Sequence, residues 1–166
     1  GAITALNVTD QAVILINGQY GPEVGTQNNF RYTEKLHKPV IFLVNQLDSD
    51  KCDFDNIIAN MQAIYGPKHG EKEKAMELHK TLVEAAAEND ETLMEKFFEE
   101  ETLSEDELRE GIRKGLVTRS IFPVFCVCAG KDMGVRRLME FLGNVVPFVS
   151  EMPKLHNTRG EEITPN

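Results

Sequence analysis

Three short apolar runs, rich in β-branched residues, set the pattern of this chain. They cover residues 11–16, 40–44 and 121–127. Continuous apolar runs of this length are typical of strands that are buried on both faces of a parallel sheet. Polar stretches with apolar residues at helical spacing lie between them. The pattern therefore predicts an α/β fold, in which a three-stranded parallel sheet is flanked by helices.

Capping residues bound the predicted helices. A short helix is expected at 2–8, and Thr26 is expected to cap a second one over 27–38. Asp53 is placed to cap a third helix, and a further helix is expected at 134–142. The buried face of the helix after Asp53 is predicted to consist of Phe54, Ile57, Ile58, Met61 and Ile64.

A long stretch between the second and third strands is also predicted to be helical. The helical pattern extends from about 71 to 114, with a break at Asn89 and Asp90. Ser104 and Glu107 then form a capping box, in which each side chain bonds the other residue's backbone N–H. We interpret residues 69–119 as an all-helical insertion in the α/β domain.

The net charge of −9 is concentrated in this insertion. Residues 71–110 contain 15 acidic and 5 basic side chains, a local charge of −10, so the rest of the chain is close to neutral. Contacts to nucleic-acid phosphates need Lys and Arg, so this segment is not expected to bind a nucleic-acid backbone. Two interpretations stay open: a protein-docking face, or a solvated face that keeps the protein soluble.

The remaining composition narrows the class of protein. The 166 residues have the length of one domain, and no apolar run approaches the roughly 18 residues of a membrane helix.

The three cysteines, Cys52, Cys126 and Cys128, contain no C-x-x-C pair, so we expect buried free thiols in a reducing compartment. Cys126 and Cys128 lie two apart on a predicted strand and are expected on one face of it. The four histidines lack the spacing of metal ligands.

Polar residues directly follow the second and third apolar runs. One segment is Asn45-Gln46-Leu47-Asp48, and the other is Cys128-Ala129-Gly130-Lys131. The carboxyl ends of parallel strands are where open α/β sheets bind nucleotides. A carboxylate at Asp48 can accept hydrogen bonds from the N1–H and the 2-amino group of guanine, and adenine has neither donor. A backbone N–H at Ala129 can approach a flat base and donate to its O6, while Asn45 holds a neighbouring loop in place.

These two segments, in this order, resemble signatures of the translational GTPase family. Residues 45–48 are similar to its Asn-Lys-x-Asp, and residues 128–131 are similar to its Ser-Ala-x-Lys. The likeness to the elongation factor G group covers nearly the whole chain, and residues 93–98 look like the helical insert of that group. The resemblance implies a partial P-loop-NTPase-like G domain that binds GTP or GDP, with Lys131 covering the base or ribose. The implied nucleotide-binding residues are Asn45, Gln46, Asp48, Cys128, Ala129, Gly130 and Lys131.

The chain departs from the family pattern at two of these positions. Gln46 stands where the family has Lys, and it loses a charge-assisted hydrogen bond worth about 1.5–3 kcal/mol. Cys128 stands where the family has Ser, and a thiol is a weaker donor than a hydroxyl. We therefore expect weaker nucleotide binding than in the family, and we expect Gln46→Lys to strengthen it.

Other family segments are missing from the sequence. It contains no Gly-x-x-x-x-Gly-Lys-Ser/Thr phosphate loop and no Asp-x-x-Gly-His segment, so the family's Mg²⁺ ligands are absent. Gly1 has no Met before it, and we expect a piece of a longer protein. After Tyr65-Gly66-Pro67 the sequence continues almost directly into the acidic helices, without the strands found at this point in elongation factor G. We therefore expect either a shortened insert or missing residues near His69.

The resemblance implies a domain plan and a function. Residues 1–68 are expected to be the G-domain core, 69–119 the acidic insert, 120–150 the last strand and helix, and 151–166 a linker. The parent protein would hydrolyse GTP and promote translocation on the ribosome in the cytoplasm, with the stalk protein meeting the insert. The chain alone is expected to be inert and monomeric, away from membranes. The alternatives are a ribosome-protection or release-factor GTPase, and a non-enzymatic interaction module with a degenerate pocket.

Overall fold

A three-stranded parallel sheet in the order β1-β2-β3 forms the centre of the fold. The computed structural model describes residues 1–65, 76–147, 149–152, 154, 156 and 159–162. The strands are β1 (Ala12–Asn17), β2 (Val40–Asn45) and β3 (Val124–Cys126). The central strand β2 pairs along its whole length with β1, and its residues 42–44 pair with β3. The predicted α/β class and three-stranded parallel sheet are confirmed.

Helices cover the sheet and also form the segment before β3 that the sequence predicts to be an insertion. They are α1 (Ala2–Val8), α2 (Val24–Lys35), α3 (Phe54–Tyr65), α4 (Met76–Ala87), α5 (Glu91–Glu100), α6 (Glu105–Thr118) and α7 (Val135–Asn144). Two short 3-10 turns are added at Ala129–Lys131 and Val149–Glu151. Within the described ranges, no helix combines the length and the apolar character that crossing a bilayer requires.

One face of the sheet is packed with aromatic rings. Phe42 of β2 stacks on Tyr65 of α3 with ring centroids 4.6 Å apart, and Phe30 of α2 lies 4.8 Å from Tyr65. Ile14 and Ile16 of β1 join this cluster. Aromatic side chains bury large areas, so this cluster fixes α2 and α3 on the sheet.

The opposite face is covered mainly over β2, and this corrects the prediction for β1. Ile41 of β2 is fully buried against a cluster that includes Leu116 of α6 and Val146. By contrast, Val13 and Leu15 of β1 are 45% and 60% exposed. The continuous apolar run was expected to be buried on both faces, but the described helices do not cover this side of the outer strand.

The start of α2 also differs from the prediction. The N-cap is Glu23, and Thr26 is the third helical residue of a capping box in which each side chain accepts from the other residue's backbone N–H. The helix therefore runs from Val24 to Lys35, a turn earlier than predicted. Its end at Leu36 is followed by His37 with a positive φ of 50°.

The third helix follows its predicted cap but turns a different face inward. Asp53 Oδ1 accepts from Asn56 N–H at 3.1 Å, as an N-cap does. The buried residues are Ile57, Met61 and Tyr65, at a spacing of four, whereas Phe54 and Ile64 are 44% and 43% exposed. The predicted ends at Gly66 and Pro67, and the junction near His69, lie outside the described residues.

The third strand is shorter and more exposed than its apolar run predicted. Only 124–126 pair with β2, and β3 has no second neighbour among the described strands. Val124 is 40% exposed, and Cys126 is exposed as well. Cys128 is buried, but it lies beyond the end of the strand, so the two thiols do not share a buried strand face. All three cysteines are free, but only Cys128 is buried, whereas all three were expected to be; Cys52 is half-buried and Cys126 is exposed.

The insertion packs around its own small core. The predicted break is the N-cap Asp90 of α5, and the predicted capping box of Ser104 and Glu107 starts α6. A Cβ at Gly111 would lie 2.5 Å from Ala86 O, so only glycine lets α6 approach α4 this closely. The core of the insertion is formed by Val83, Ala87, Leu93, Phe97 and Leu103.

Arg119 fastens the end of the insertion to the sheet domain. Its guanidinium donates to Lys38 O and, at 3.3 Å, to Thr33 O, both at the end of α2. It also lies 5.4 Å from the centre of the Phe30 ring, within the range of a cation–π contact. The insertion therefore contacts the sheet domain through this half-buried cation as well as through the apolar contacts of α6 with Ile41.

Candidate functional site

The polar residues after β2 and β3 meet at the carboxyl end of the sheet. Asn45 is the last residue of β2, and its Oδ1 accepts from Ala129 N–H at 3.0 Å. Parallel pairing of Val44 with Cys126 brings the two strand ends to the same edge. Asn45 thus joins the loop after β2 to the loop after β3, which is the contact that the sequence suggested for it.

A sharp turn after Asn45 presents the next side chains. Gln46 has a positive φ of 64°, in the left-handed region that is uncommon for Gln. Its carbonyl accepts from Ser49 N–H at 3.3 Å, which closes the turn that carries Asp48. The Asp48 side chain is 37% exposed on this turn.

The loop after β1 supports that turn from behind. Gly18 N–H donates to Asn45 O at 2.7 Å. A Cβ at Gly18 would lie 2.7 Å from Asn45 O, closer than side-chain carbons come to backbone, and a tight 3.1 Å from Gln46 O. The loop after β1 can therefore lie this close only because residue 18 is glycine.

Two groups on the loop after β3 act on the Asp48 carboxylate. Lys131 Nζ lies 3.0 Å from Asp48 Oδ2. The neighbouring Cys128 thiol, with Lys131 second, lowers the pKa of Asp48 below its usual value. The same contacts raise the pKa of Cys128 and of Lys131, in both cases chiefly through Asp48. Asp48 is therefore held as an anion, while Cys128 keeps its proton.

These elements surround a polar cleft of about 540 Å³. Five of the seven residues expected to bind nucleotide line it, and the other two adjoin it: Ala129 through Asn45, and Lys131 through Asp48. Its volume lies within the roughly 300–1,000 Å³ of small-molecule sites. The lining residues are Gln19, Asn45, Gln46, Asp48, Ser49, Asp50, Cys128 and Gly130.

Three lining residues were not singled out from the sequence. Ser49 and Asp50 simply continue the turn after Asp48. Gln19 lies in the loop after β1, whose strand end meets the same edge of the sheet as the other two. That shared edge was the signal for Gln19, since all strands of a parallel sheet bring their carboxyl ends together.

The roles of individual residues at a base stay predictions. Ala129 N–H, expected to donate to a base, donates to Asn45 in this structure. Asp48 presents carboxylate oxygens at the cleft, which suits a ligand with two adjacent N–H donors. No group of metal-ligating side chains occurs within the described part of the chain. The residues present therefore fit a guanine base, and the sequence contains no phosphate loop to fit the phosphates.

Comparison with known proteins agrees with this geometry. The crystal structure of a protein from Thermus thermophilus is similar, with a TM-score of 0.75 over 88% of this chain and 21% identical residues. At that identity the likeness shows the fold, and this chain spans only 28% of the length of that protein's chain. The sequence family described as the elongation factor Tu GTP binding domain matches residues 1–148. Because the match covers most of the 166 residues, the chain belongs to this family of translational GTPase G domains.

Proposed function

We propose that this chain carries the guanine-recognition half of a translational GTPase G domain. The proposal rests mainly on the position of Asp48 in a polar cleft, where Asn45 joins the loop after β2, which carries Asp48, to the loop after β3. A carboxylate held ionised at the carboxyl end of a parallel sheet is suited to two N–H donors on one edge of a base.

Recognition would work through the number and direction of donors. An ionised carboxylate has about four acceptor positions. Asp48 uses part of this capacity for Lys131, and the remaining acceptor positions are proposed to bind the N1–H and the 2-amino group of guanine. Adenine would leave the carboxylate without these donors, and an unpaired polar group in a binding site is strongly disfavoured.

The neighbouring residues would orient the base. Lys131 already lies against Asp48 and would cover the base or ribose from that side. Gly130 lines the cleft without a side chain, so a flat ring can approach its backbone. The Ala129 amide would be shared between Asn45 and the base O6, so its contact with the base would be weaker than an undivided hydrogen bond.

Hydrolysis is proposed for the whole protein and not for these 166 residues. Phosphoryl transfer depends on groups that position the phosphates and on Mg²⁺ that neutralises their charge. The sequence motifs that supply both in this family are not among the 166 residues. The chain alone is therefore proposed to be inert and monomeric. The whole protein is proposed to act as an elongation factor G-like GTPase that promotes translocation on cytoplasmic ribosomes.

The acidic insertion is proposed to dock a protein, in the way that the stalk protein meets elongation factor G. Glu99 and Glu100 are exposed in the last turn of α5, where negative charge opposes the helix dipole. Phe98, beside them, is 76% exposed. An exposed aromatic ring among acidic side chains, placed at some cost to the helix, supports a protein-binding surface.

A second candidate function is a non-enzymatic interaction module that uses this same surface. It is favoured by Gln46 and Cys128, which replace the Lys and Ser of the family and weaken a nucleotide site. The two candidates differ in whether the cleft prefers guanine.

A titration followed by backbone amide NMR separates the candidates. The 166-residue chain is titrated with GMP and with AMP at millimolar concentration, so that the base contributes without a phosphate loop. GMP is expected to shift the amides of 45–49 and 128–131 and to bind more tightly than AMP. Equal shifts with both nucleotides, or none with either, would overturn the proposed guanine site and favour the interaction module.

A further inference from the structure

Asn17, at the carboxyl end of β1, makes two side-chain hydrogen bonds in opposite senses. Its Oδ1 accepts from Gln19 N–H at 2.8 Å. Its Nδ2 donates to Gln46 Oε1, also at 2.8 Å. Asn17 therefore links the loop after β1 to the side chain that stands in place of the family's Lys.

These bonds fix the orientation of both amides. A backbone N–H can only donate, so Gln19 requires the oxygen of Asn17 on its side. The nitrogen of Asn17 then faces Gln46, whose oxygen has to be the acceptor. The NH₂ group of Gln46 is left over, and it makes no hydrogen bond to any residue in the described ranges. Gln46 lines the cleft beside Asp48, so this NH₂ group is a donor available to a ligand.

Gln46 combines an unusual backbone conformation with a side chain long enough to reach Asn17. Its φ of 64° lies in the left-handed region, which Asn adopts more readily than Gln. An Asn here would suit the turn better but would be one methylene too short for the bond to Asn17. Gln46 thus occupies a turn position that suits Asn better, and its longer amide reaches Asn17 of β1.

We propose that Asn17 is a positioning residue of the cleft, which holds the Gln46 amide so that its NH₂ group donates to a bound guanine nucleotide. The acceptors on such a ligand are ribose or phosphate oxygens, because the base edge is read by Asp48. The inference rests on the proposed guanine site. In this proposal, Asn17 holds the neutral amide of Gln46 in the place where the family has the ammonium group of Lys.

The first test is a double-mutant cycle in the 166-residue chain. The dissociation constants of GMP and AMP are measured by amide NMR for the wild type, Asn17→Ala, Gln46→Ala and the double variant. Each single change is expected to weaken GMP binding by about 2- to 12-fold, the effect of one neutral hydrogen bond. The double variant should bind as the singles do, since both break the same contact.

Two controls keep a structural effect apart from a positioning effect. Asn28→Ala changes an exposed Asn on α2 that does not line the cleft, and it should leave both dissociation constants unchanged. The thermal midpoint of every variant is measured beside the binding constants. The inference requires that Asn17→Ala weaken GMP binding while the binding of 9-ethylguanine, which has the same base but no ribose or phosphate, stays unchanged, a difference that a general loss of stability does not produce.

The second test concerns a charge pair. With Gln46→Lys alone, the ammonium meets Asn17 Nδ2, so two donors face each other and GMP binding should weaken. This reverses the expectation from sequence that Gln46→Lys strengthens binding. Adding Asn17→Asp supplies an acceptor for the ammonium and still accepts from Gln19 N–H, so the double variant should bind GMP at least as tightly as the wild type.

The outcomes separate this inference from the function on which it rests. If the wild type shows no preference for GMP over AMP, the guanine site fails and the role of Asn17 fails with it. If the wild type prefers GMP over AMP and Asn17→Ala leaves the GMP affinity unchanged, or weakens GMP and 9-ethylguanine equally, only the positioning role fails. A fully additive cycle, or tighter GMP binding by Gln46→Lys without Asn17→Asp, also overturns it.

Discussion

Lys131 Nζ lies 3.0 Å from Asp48 Oδ2. The carboxylate proposed to bind the guanine edge is therefore paired with a cation on the loop after β3. The Cys128 thiol of the same loop, together with Lys131, lowers the pKa of this carboxylate. The two loops are thus joined twice, by Asp48 with Lys131 and by Asn45 with Ala129. A site held in this way needs little rearrangement on binding, which favours affinity from few contacts.

Asp48→Asn should change the base preference of the cleft from guanine to xanthine. The Asn amide can donate to the 2-oxo group of xanthine but cannot accept from both guanine donors. We expect GMP binding to weaken by roughly 10- to 150-fold, the effect of losing a hydrogen bond to a charged group, while XMP binding strengthens. NMR titrations of the 166-residue chain with both nucleotides measure this change.

A matched variant distinguishes the role of the Asp48 carboxylate from a general effect of charge. Asp55→Asn removes one charge from the exposed first turn of α3, and it should leave both affinities as they are. Unchanged GMP affinity in Asp48→Asn would show that the carboxylate does not contact the base.

Gly18→Ala should loosen the cleft through the backbone. The added Cβ would lie 2.7 Å from Asn45 O, and relief of such overpacking typically costs about 1–3 kcal/mol of unfolding free energy. Gly25→Ala is the control, because a Cβ there meets nothing within 4 Å and the residue lies in α2. It should stabilise the chain by about 0.5–1 kcal/mol. Urea unfolding measures both, and equal signs for the two variants would contradict the close approach at Gly18.

Neutralising Glu99, Glu100 and Glu101 to Gln should have opposite effects on stability and on docking. The first two lie in the last turn of α5 and Glu101 caps it, so removing their charge relieves repulsion with the helix dipole and should raise the thermal midpoint. Association of the full-length protein with ribosomes should become slower and less sensitive to salt. Stopped-flow mixing at low salt measures the rate. A triple variant that is more stable but associates at the wild-type rate would leave these residues as a solvated face.

Glu107 should make the insertion sensitive to acid. The Lys96 ammonium, 2.5 Å away, and the Ser104 hydroxyl lower the pKa of Glu107 from 4.5 to about 2. A lowered pKa in the folded state stabilises the fold above the ordinary pKa, and this contribution is lost as pH falls from about 4.5 towards about 2. The stability difference between wild type and Glu107→Gln should shrink across that window.

The cause of the Glu107 shift can be checked separately. Lys96→Met removes the first of the two partners, so the pKa of Glu107 followed by carboxyl NMR should move upwards in that variant. A pKa that stays in place would assign the shift to Ser104 instead.

GTP should leave the thermal midpoint of the 166-residue chain almost unmoved at micromolar concentration. Stabilisation follows RT ln(1 + [L]/Kd), which is near zero when the ligand is far below Kd. The phosphate loop that supplies most anion contacts in this family is absent from the sequence. A shift of several degrees in a thermal scan would contradict the proposal that this chain alone binds GTP weakly.

The sequence predicted local features better than the surroundings of each element. The caps at Asp53 and Ser104 were predictable because each depends on one side chain and its nearest amides, whereas Asp90 was expected only as part of a helix break and is the N-cap of α5. The start of α2 was missed because Glu is a less usual N-cap than Thr, and Thr26 takes part in the same capping box.

Exposure was harder to predict, since it depends on what the rest of the chain covers. The apolar runs correctly predicted the strands β1 and β3. They could not predict that no described helix covers Val13 and Leu15. At the cleft, the residue types indicated Asn45 and Asp48, whereas Asn17 belongs to no motif. Its importance appears only when the strand ends are side by side and the directions of its two hydrogen bonds can be read.

The exposed side of β1 has a consequence for how copies of this chain behave together. As the outer strand of the described sheet, β1 offers a backbone edge beside Val13 and Leu15, and it contains no charged residue. Uncharged apolar edges of this kind are templates for strand addition and aggregation. The acidic charge that would keep copies apart is concentrated in residues 71–110, far along the sequence from β1. The acidic residues that would repel other copies and the strand edge that would attract them therefore lie in different segments of the sequence.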